Sequence, residues 1–336
     1  MGLYFRHPSS LLHDTGPHPE NATRIRAIEA ALEGAGWPGL EQAEPPLAER
    51  EWLTRVHDPA LIDAIERFCA AGGGMIDADT VAVPESWEAA LRASGAAANG
   101  AERLLAGETG HAFCGLRPPG HHAESRRAMG FCLFNHAAVA AAHAIADCGA
   151  ERVLIFDWDV HHGNGTAEIF YERGDVLYAS IHQSPFYPGT GNVSETGSGA
   201  GEGMTVNLPV PAGAGTAEFV GLTERVVVPV ARAFEPDLII VSAGYDAHVD
   251  DPLAACRVET GDYATMTALL SELGVPLLFC LEGGYSPDAL AASVLATAET
   301  LAGVRPDEPG PVPEVSATVE DAVGRVAGLE AWRSAL

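Results

Sequence analysis

Asp157, Asp159 and His161 alternate along the chain, so an extended segment turns all three side chains the same way. Carboxylates and an imidazole gathered at the end of an apolar run cost free energy unless a cation compensates them. A metal ion is one such cation; loop caps and turn residues are the alternative. The Gly163-Asn164-Gly165 that follows permits a tight turn into the next element. Asp246, in Ser-Ala-Gly-Tyr-Asp-Ala-His, offers a third ligand or caps the segment after it. Two carboxylates and one imidazole leave a position for water, the pattern of a catalytic zinc. His121 and His122 are adjacent imidazoles suited to proton transfer near neutral pH, or an ordinary surface pair. Tyr285, after Glu282-Gly283-Gly284, offers a phenol to a developing oxyanion or is a plain loop tyrosine.

These residues must be positioned by the elements before them. Short apolar runs read as strands at 111–114, 153–157, 176–180, 238–242 and 276–281. Helical stretches lie between them at 135–148, about 166–172, 216–234 and 260–273, with another at 287–301. Apolar strands alternating with helices indicate a parallel sheet covered on both faces. Upstream, Asn21 caps a helix through Ile25, Ile28 and Leu32, Asp58-Pro59 opens a second, and a third runs from Ser86 to about Leu105. Residues 183–203, rich in Gly, Ser and Pro, read as a long loop. Each chemically loaded segment directly follows a strand. In an open parallel sheet, ligands bind beyond the carboxyl ends of the strands, so these residues are candidates for one cleft.

Composition narrows the function. The 336 residues are 47% hydrophobic, enough for a sizeable core, and carry 46 acidic against 19 basic residues, a formal net charge of -27. That excess disfavours nucleic acid, which requires a basic face. It attracts cationic substrates or simply aids solubility. The six cysteines form no C-x-x-C pair. The start has no signal-peptide core and the chain no membrane-length apolar run, so a soluble, reduced, cytoplasmic protein is expected.

Seven stretches resemble the histone deacetylase family, of the arginase–deacetylase fold: His18-Pro-Glu-Asn, Arg117-Pro-Pro-Gly-His-His, Met129-Gly-Phe-Cys-Leu-Phe-Asn, Asp157-Trp-Asp-Val-His-His-Gly-Asn-Gly-Thr, Tyr187-Pro-Gly-Thr-Gly, Ser242-Ala-Gly-Tyr-Asp-Ala-His and Glu282-Gly-Gly-Tyr. Their wording is closest to the class II-like branch, which includes bacterial amidohydrolases and acetylpolyamine amidohydrolases. The resemblance implies a three-layer αβα sandwich around a mainly parallel sheet. It implies zinc on Asp159, His161 and Asp246, with His122 as general base and acid and His121, held by Asp157, as electrostatic partner. Asn164 would orient His122, and Tyr285 would polarise the acetyl carbonyl together with the zinc. Gly130, Phe131, Tyr187 and Gly283 would contact substrate, Phe131 and Tyr187 as walls of a narrow tunnel. A monovalent cation, usually potassium, would sit on Asp157, Ser180 and main-chain oxygens of Asp159, His161 and Ile181. Two departures stand out: Asn164 replaces the Asp of class I enzymes, which lowers the basicity of His122, and Tyr187 replaces the Phe of many relatives.

The expected organisation is a catalytic domain over 1–304, then a Pro-rich link and an amphipathic helix over 305–336 packed on the same domain. A homo-oligomer through that helix stays open. The expected substrate is an acetylated amine, on lysine or a polyamine, without nucleic acid or membrane as partner. Asp246-Ala-His248-Val-Asp250 also resembles the run of binuclear manganese ureohydrolases, though no second Asp-rich cluster completes that site. A catalytically silent acetyl-amine binding protein is the remaining alternative.

Overall fold

The computed structural model describes residues 1–304 and 315–336; the link expected over 305–314 lies outside them. Ten strands occur in the described residues: β1 (Gly2–Phe5), β2 (Leu40–Ala43), β3 (Gly74–Met75), β4 (Val81–Ala82), β5 (His111–Cys114), β6 (Val153–Asp157), β7 (Val176–Gln183), β8 (Thr205–Val210), β9 (Leu238–Ala243) and β10 (Leu277–Leu281). Eight form one parallel sheet in the order β2-β1-β5-β10-β9-β6-β7-β8, and β3 pairs antiparallel with β4. Leu154, Phe156, Ile239 and Val241 face one hydrophobic core, and Val153, Ile155, Leu238 and Ile240 face another. That alternation places a helical layer on each side, giving the three-layer αβα sandwich. Ser86–Leu105 and His136–Asp147 cover one face. Thr23–Gly34, Thr260–Ser271 and Pro287–Leu301 cover the other.

Three strands of the sheet go beyond the sequence expectation. β1 is a buried four-residue run at the chain start. β2 is an edge strand in which only Leu40 is buried, so it lacks a hydrophobic signature. β8 contains Pro209, a residue that argues against a central strand and is tolerated on this outer edge. The expected helix over 216–234 is divided into Thr216–Leu222, a wide π turn at Thr223–Val227 and Val228–Phe234. Pro229 explains the widening: it donates no N–H and its ring crowds the carbonyl four residues back. The last helix, Ala317–Gly328, buries Val319 and Val326, and Trp332 beyond it donates to the Gly203 carbonyl at 2.7 Å. All six cysteines are unpaired. Among the described residues no helix is long and apolar enough to cross a membrane.

Two buried imidazoles hold the segments around His121 and His122. His57 Nδ1 lies 3.0 Å from the Glu124 carbonyl, and its Nε2 accepts from the Asn135 N–H at 2.9 Å. His136 Nε2 lies 3.0 Å from the Pro118 carbonyl and Nδ1 2.8 Å from Ser94 Oγ. Burial pushes each down from 6.5 to about 4. Between those values the unfolded chain binds protons that the folded chain does not, so their stabilisation is present above pH 6.5 and is lost as pH falls toward 4. From pH 7 to pH 5 each group should cost about 2 kcal/mol. Urea unfolding at the two pH values measures this. His136→Gln, which cannot charge, should show a smaller drop than the parent; an equal drop would contradict the assignment.

Candidate active site

The chain leaves β6 toward β7 and β8, then returns on the opposite flank of β6 as β9 and β10. The crevice between β6 and β9 is therefore the switch point of the sheet, where an open parallel sheet binds ligands. Asp157 is level with Ser180 on β7 and with Ser242 on β9. The segments that continue these strands, with the loop after β5, converge on one buried polar cluster.

At its centre are Asp159, His161 and Asp246, whose ligand atoms lie within 4.8 Å of one another. His161 Nδ1 stands 3.0 Å from Asp159 Oδ1 and 3.2 Å from Asp246 Oδ2. One ring nitrogen carries at most one proton. Its hydrogen bond goes to Asp159, and the buried Asp246 Oδ2 is left without one. Burial alone would lower the His161 pKa, yet the two carboxylates raise it to about 10. That negative potential is what a metal cation neutralises. Space is kept for it by Gly283, where an added Cβ would lie 2.0 Å from Asp246 Oδ2 and 2.6 Å from Asp159 Oδ2. The Gly283 N–H donates to Asp159 Oδ2 at 2.8 Å, and the Val160 N–H to Asp246 Oδ1 at 2.9 Å. Two carboxylates and an imidazole, oriented by backbone donors, fit a zinc ion.

The two adjacent histidines differ in their surroundings. His121 Nδ1 is 3.0 Å from Asp157 Oδ2, which also accepts from the Tyr178 hydroxyl at 3.0 Å. Burial pulls His121 down, but Asp159, Asp157 and Glu282 outweigh it and hold the ring well above its usual pKa. His122 Nδ1 is 2.8 Å from Asn164 Oδ1, and Asn164 Nδ2 donates to Glu124 Oε1 at 2.7 Å. The amide thus presents its oxygen to His122, so Nδ1 carries the proton and Nε2 is the accepting nitrogen. Burial, then the neighbouring His121 and His161, keep His122 well below its usual pKa. The two imidazoles, 4.0 Å apart between ring centroids, are thus pushed in opposite directions.

Aromatic rings enclose this pair. Tyr187 stands edge-on to His122 at 5.1 Å, and Phe131 stands edge-on to Tyr285 at 5.9 Å. Phe186, which sequence reasoning passed over, stacks on His161 at 5.0 Å. Phe131 has φ 69, an uncommon conformation for a side-chain-bearing residue, and its N–H donates to Thr80 Oγ at 3.1 Å. At Gly130, φ +57, a Cβ would lie 2.4 Å from His122 Cδ2, so only glycine lets the ring pass. The Gly130 carbonyl accepts from the Cys132 thiol at 3.2 Å. Burial, then Asp246, raise the Tyr285 phenol well above its usual pKa, which keeps it a proton donor. Asp157, at the end of β6, and Ser180 and Ile181, in the second half of β7, are all buried. His248 instead pairs its Nε2 with Thr260 Oγ at 3.2 Å, and the Asp250 side chain is 73% exposed. Neither joins the metal cluster, so the second-metal reading lacks its ligands here.

Four further residues hold the site. Arg24 donates to the Gly284 carbonyl at 2.6 Å and the Glu282 carbonyl at 2.5 Å. Glu20 pairs with both Arg24 and Arg117, and all three are buried. The Glu282 carboxylate accepts from the N–H groups of Gly120 at 2.6 Å and His121 at 3.1 Å. Glu20 and Glu282 lie inside stretches already singled out in the sequence; that these strings contain charged residues was the available signal.

Fold and cluster together define an amidohydrolase-type site on the arginase–deacetylase fold. The family model described as the histone deacetylase domain matches residues 18–301. Histone deacetylase 15 of Arabidopsis thaliana is 44% identical over 88% of this chain and 55% of its own length. A probable deacetylase of Methanothermobacter thermautotrophicus is 41% identical over 94% of this chain and 96% of its own. A histone deacetylase-like amidohydrolase of Pseudomonas aeruginosa is 38% identical over 86% of this chain and 78% of its own. A crystal structure of the HDA15 HD domain superposes with a TM-score of 0.91 at 39% identity, covering 99% of this chain and 94% of that one. The chain belongs to the histone deacetylase family.

Gly283→Ala tests the metal cradle. The added methyl overlaps two carboxylate oxygens, so the purified variant should stay folded but carry far less bound zinc than the parent. Elemental analysis beside a thermal melt decides this, and full zinc content in the folded variant would contradict the placement.

Proposed function

We propose that the protein is a zinc-dependent deacetylase that hydrolyses the acetyl amide of a lysine side chain or a polyamine, releasing acetate and free amine. The observation that carries this reading is one cleft holding the Asp159/His161/Asp246 cluster, a neutral His122 and a protonated Tyr285. Zinc, when bound, supplies a Lewis acid for the acyl carbonyl and lowers the pKa of a nearby water. The rest falls to side chains. His122 Nε2 takes a proton from the attacking water and later gives it to the leaving amine. His121, charged beside Asp157, stays as an electrostatic partner. Tyr285 donates a hydrogen bond to the carbonyl oxygen as it gains negative charge. Asn164 holds the His122 tautomer in which Nε2 accepts. Phe131 and Tyr187 wall the tunnel for an extended alkyl chain, and Gly130 accepts a hydrogen bond from the substrate amide.

A potassium ion on Asp157, Ser180 and the main-chain oxygens of Asp159, His161 and Ile181 belongs to the same reading; buried oxygen donors suit a hard cation. A net charge of -27 favours cationic acylated amines over neutral ones at low salt. Six unpaired cysteines agree with a reducing, cytoplasmic setting. A panel of acetyl-lysine peptides and acetylated putrescine, cadaverine and spermidine separates the substrate classes, and no turnover of any of them favours a silent binding protein.

Tyr285→Phe tests the chemistry. A donor that strengthens in the transition state acts mainly on kcat, so the variant should lose on the order of 100- to 1000-fold in kcat. KM, zinc content and melting temperature should change little, because the ring remains. A kcat near that of the parent would make Tyr285 a structural loop residue.

A further inference from the structure

We propose that Asp251 is a positioning residue for Tyr285, fixing the backbone that carries the phenol; this rests on Tyr285 being the oxyanion donor. Residues 282–286 belong to no helix or strand, so their backbone groups need partners from elsewhere. The carbonyls of Glu282 and Gly284 are taken by Arg24. The remaining group that matters for the phenol is the Tyr285 N–H. It donates to Asp251 Oδ2 at 2.6 Å, the short distance of a charge-assisted bond. The other oxygen, Oδ1, accepts from the Leu253 N–H at 2.9 Å, and the Asp251 N–H donates to the His248 carbonyl at 2.9 Å. The carboxylate is therefore fixed in its own turn before it reaches Tyr285.

Its chemistry argues against a role in that turn alone. Asp251 is 7% exposed, and among the described residues no cation forms an ion pair with it. A buried carboxylate without a paired cation lowers stability, and burial together with Asp246 pushes its pKa up to about 7. A neutral Asn or Ser would serve the Leu253 turn without that penalty. What the carboxylate adds is a second acceptor oxygen, which takes the Tyr285 amide while the first serves the Leu253 turn. Arg24 completes the arrangement from below, its guanidinium carbon 5.2 Å from the Tyr285 ring centroid. Arg24 thus holds the ring and two loop carbonyls while Asp251 holds the Tyr285 amide, which limits where the phenol oxygen can stand.

The test compares Asp251→Ala, Asp251→Asn, Tyr285→Phe and the double variant Asp251→Ala/Tyr285→Phe in the zinc-loaded protein, reading kcat, KM and zinc content. Asp251→Ala should lower kcat on the order of 10- to 100-fold with KM and zinc little changed, the scale of a misplaced catalytic group. Asp251→Asn keeps one acceptor oxygen for two N–H donors, so its kcat should fall between those of the Ala variant and the parent. The double variant should be no slower than Tyr285→Phe, because a misplaced phenol and an absent one fail at the same step. Where the Ala variant does not fold, Asp251→Ser, whose hydroxyl does not reach the amide, takes its place with the same expectation. Losses that multiply in the double variant, or an Ala or Ser variant with unchanged kcat, would each overturn the positioning role. If Tyr285→Phe itself keeps the parent kcat, the oxyanion assignment falls, and that outcome is distinct from a slow Tyr285→Phe beside an unaffected Asp251→Ala.

Discussion

Two carboxylates, Asp159 and Asp246, face the same imidazole nitrogen across a few ångströms of buried space. Charges of one sign this close and this far from water repel each other and lose their hydration, and a single ring proton cannot serve both. Much of the surrounding structure answers that constraint. β6 and β9 must lie side by side, so that the segments continuing them deliver the two carboxylates to one point. Gly283 must be glycine, because any Cβ would occupy the space between them. Against the pull of burial, Asp159, Asp157 and Glu282 hold His121 above its usual pKa, while burial, His121 and His161 keep His122 below. The carboxylate cluster and the raised His121 both follow from one concentration of negative charge.

Holding that concentration in place needs rigidity where the chain has no regular structure. The loops after β5 and β10 are tied by buried charged side chains rather than by ladders of backbone bonds. Glu282 spans from the end of β10 to the amides of Gly120 and His121, and Arg24 reaches from the first covering helix to the loop beyond Glu282. Glu20 offsets the charge of both Arg24 and Arg117. Such networks are costly when incomplete, and each arginine here also serves carbonyls that would otherwise be unpaired. Placement of the reacting groups is the gain, consistent with a site that must keep several donors within narrow tolerances.

Much of this was legible in the sequence, for identifiable reasons. β5, β6, β7, β9 and β10 are continuous apolar runs because both faces are covered, and such runs stand out. β1, β2 and β8 did not stand out: one is short, one is polar on its exposed edge and one carries Pro209. Among site residues, the alternation of Asp157, Asp159 and His161 reports its own geometry, and the structure brings Asp246, His121, His122 and Asn164 around it. The partners of Arg24 could not be read in the same way. They lie 260 and 258 positions away and depend on the packing of a helix against a distant loop. Asp251 lies outside the stretches singled out by spacing; its bond to Tyr285 joins residues 34 apart. Local spacing reveals side chains that act together within one segment, and not those that act across the sheet.

The proposed function rests on a single divalent cation between Asp159, His161 and Asp246, and counting that ion is the most direct measurement. Elemental analysis of protein purified without added metal, then of chelator-treated protein titrated back with zinc, should give one zinc per chain, with deacetylation of an acetyl-lysine peptide or acetylpolyamine returning in proportion. Asp246→Ala should fail to take up zinc in the same titration. Two metal ions per chain, or full turnover in metal-free protein, would contradict the site as described.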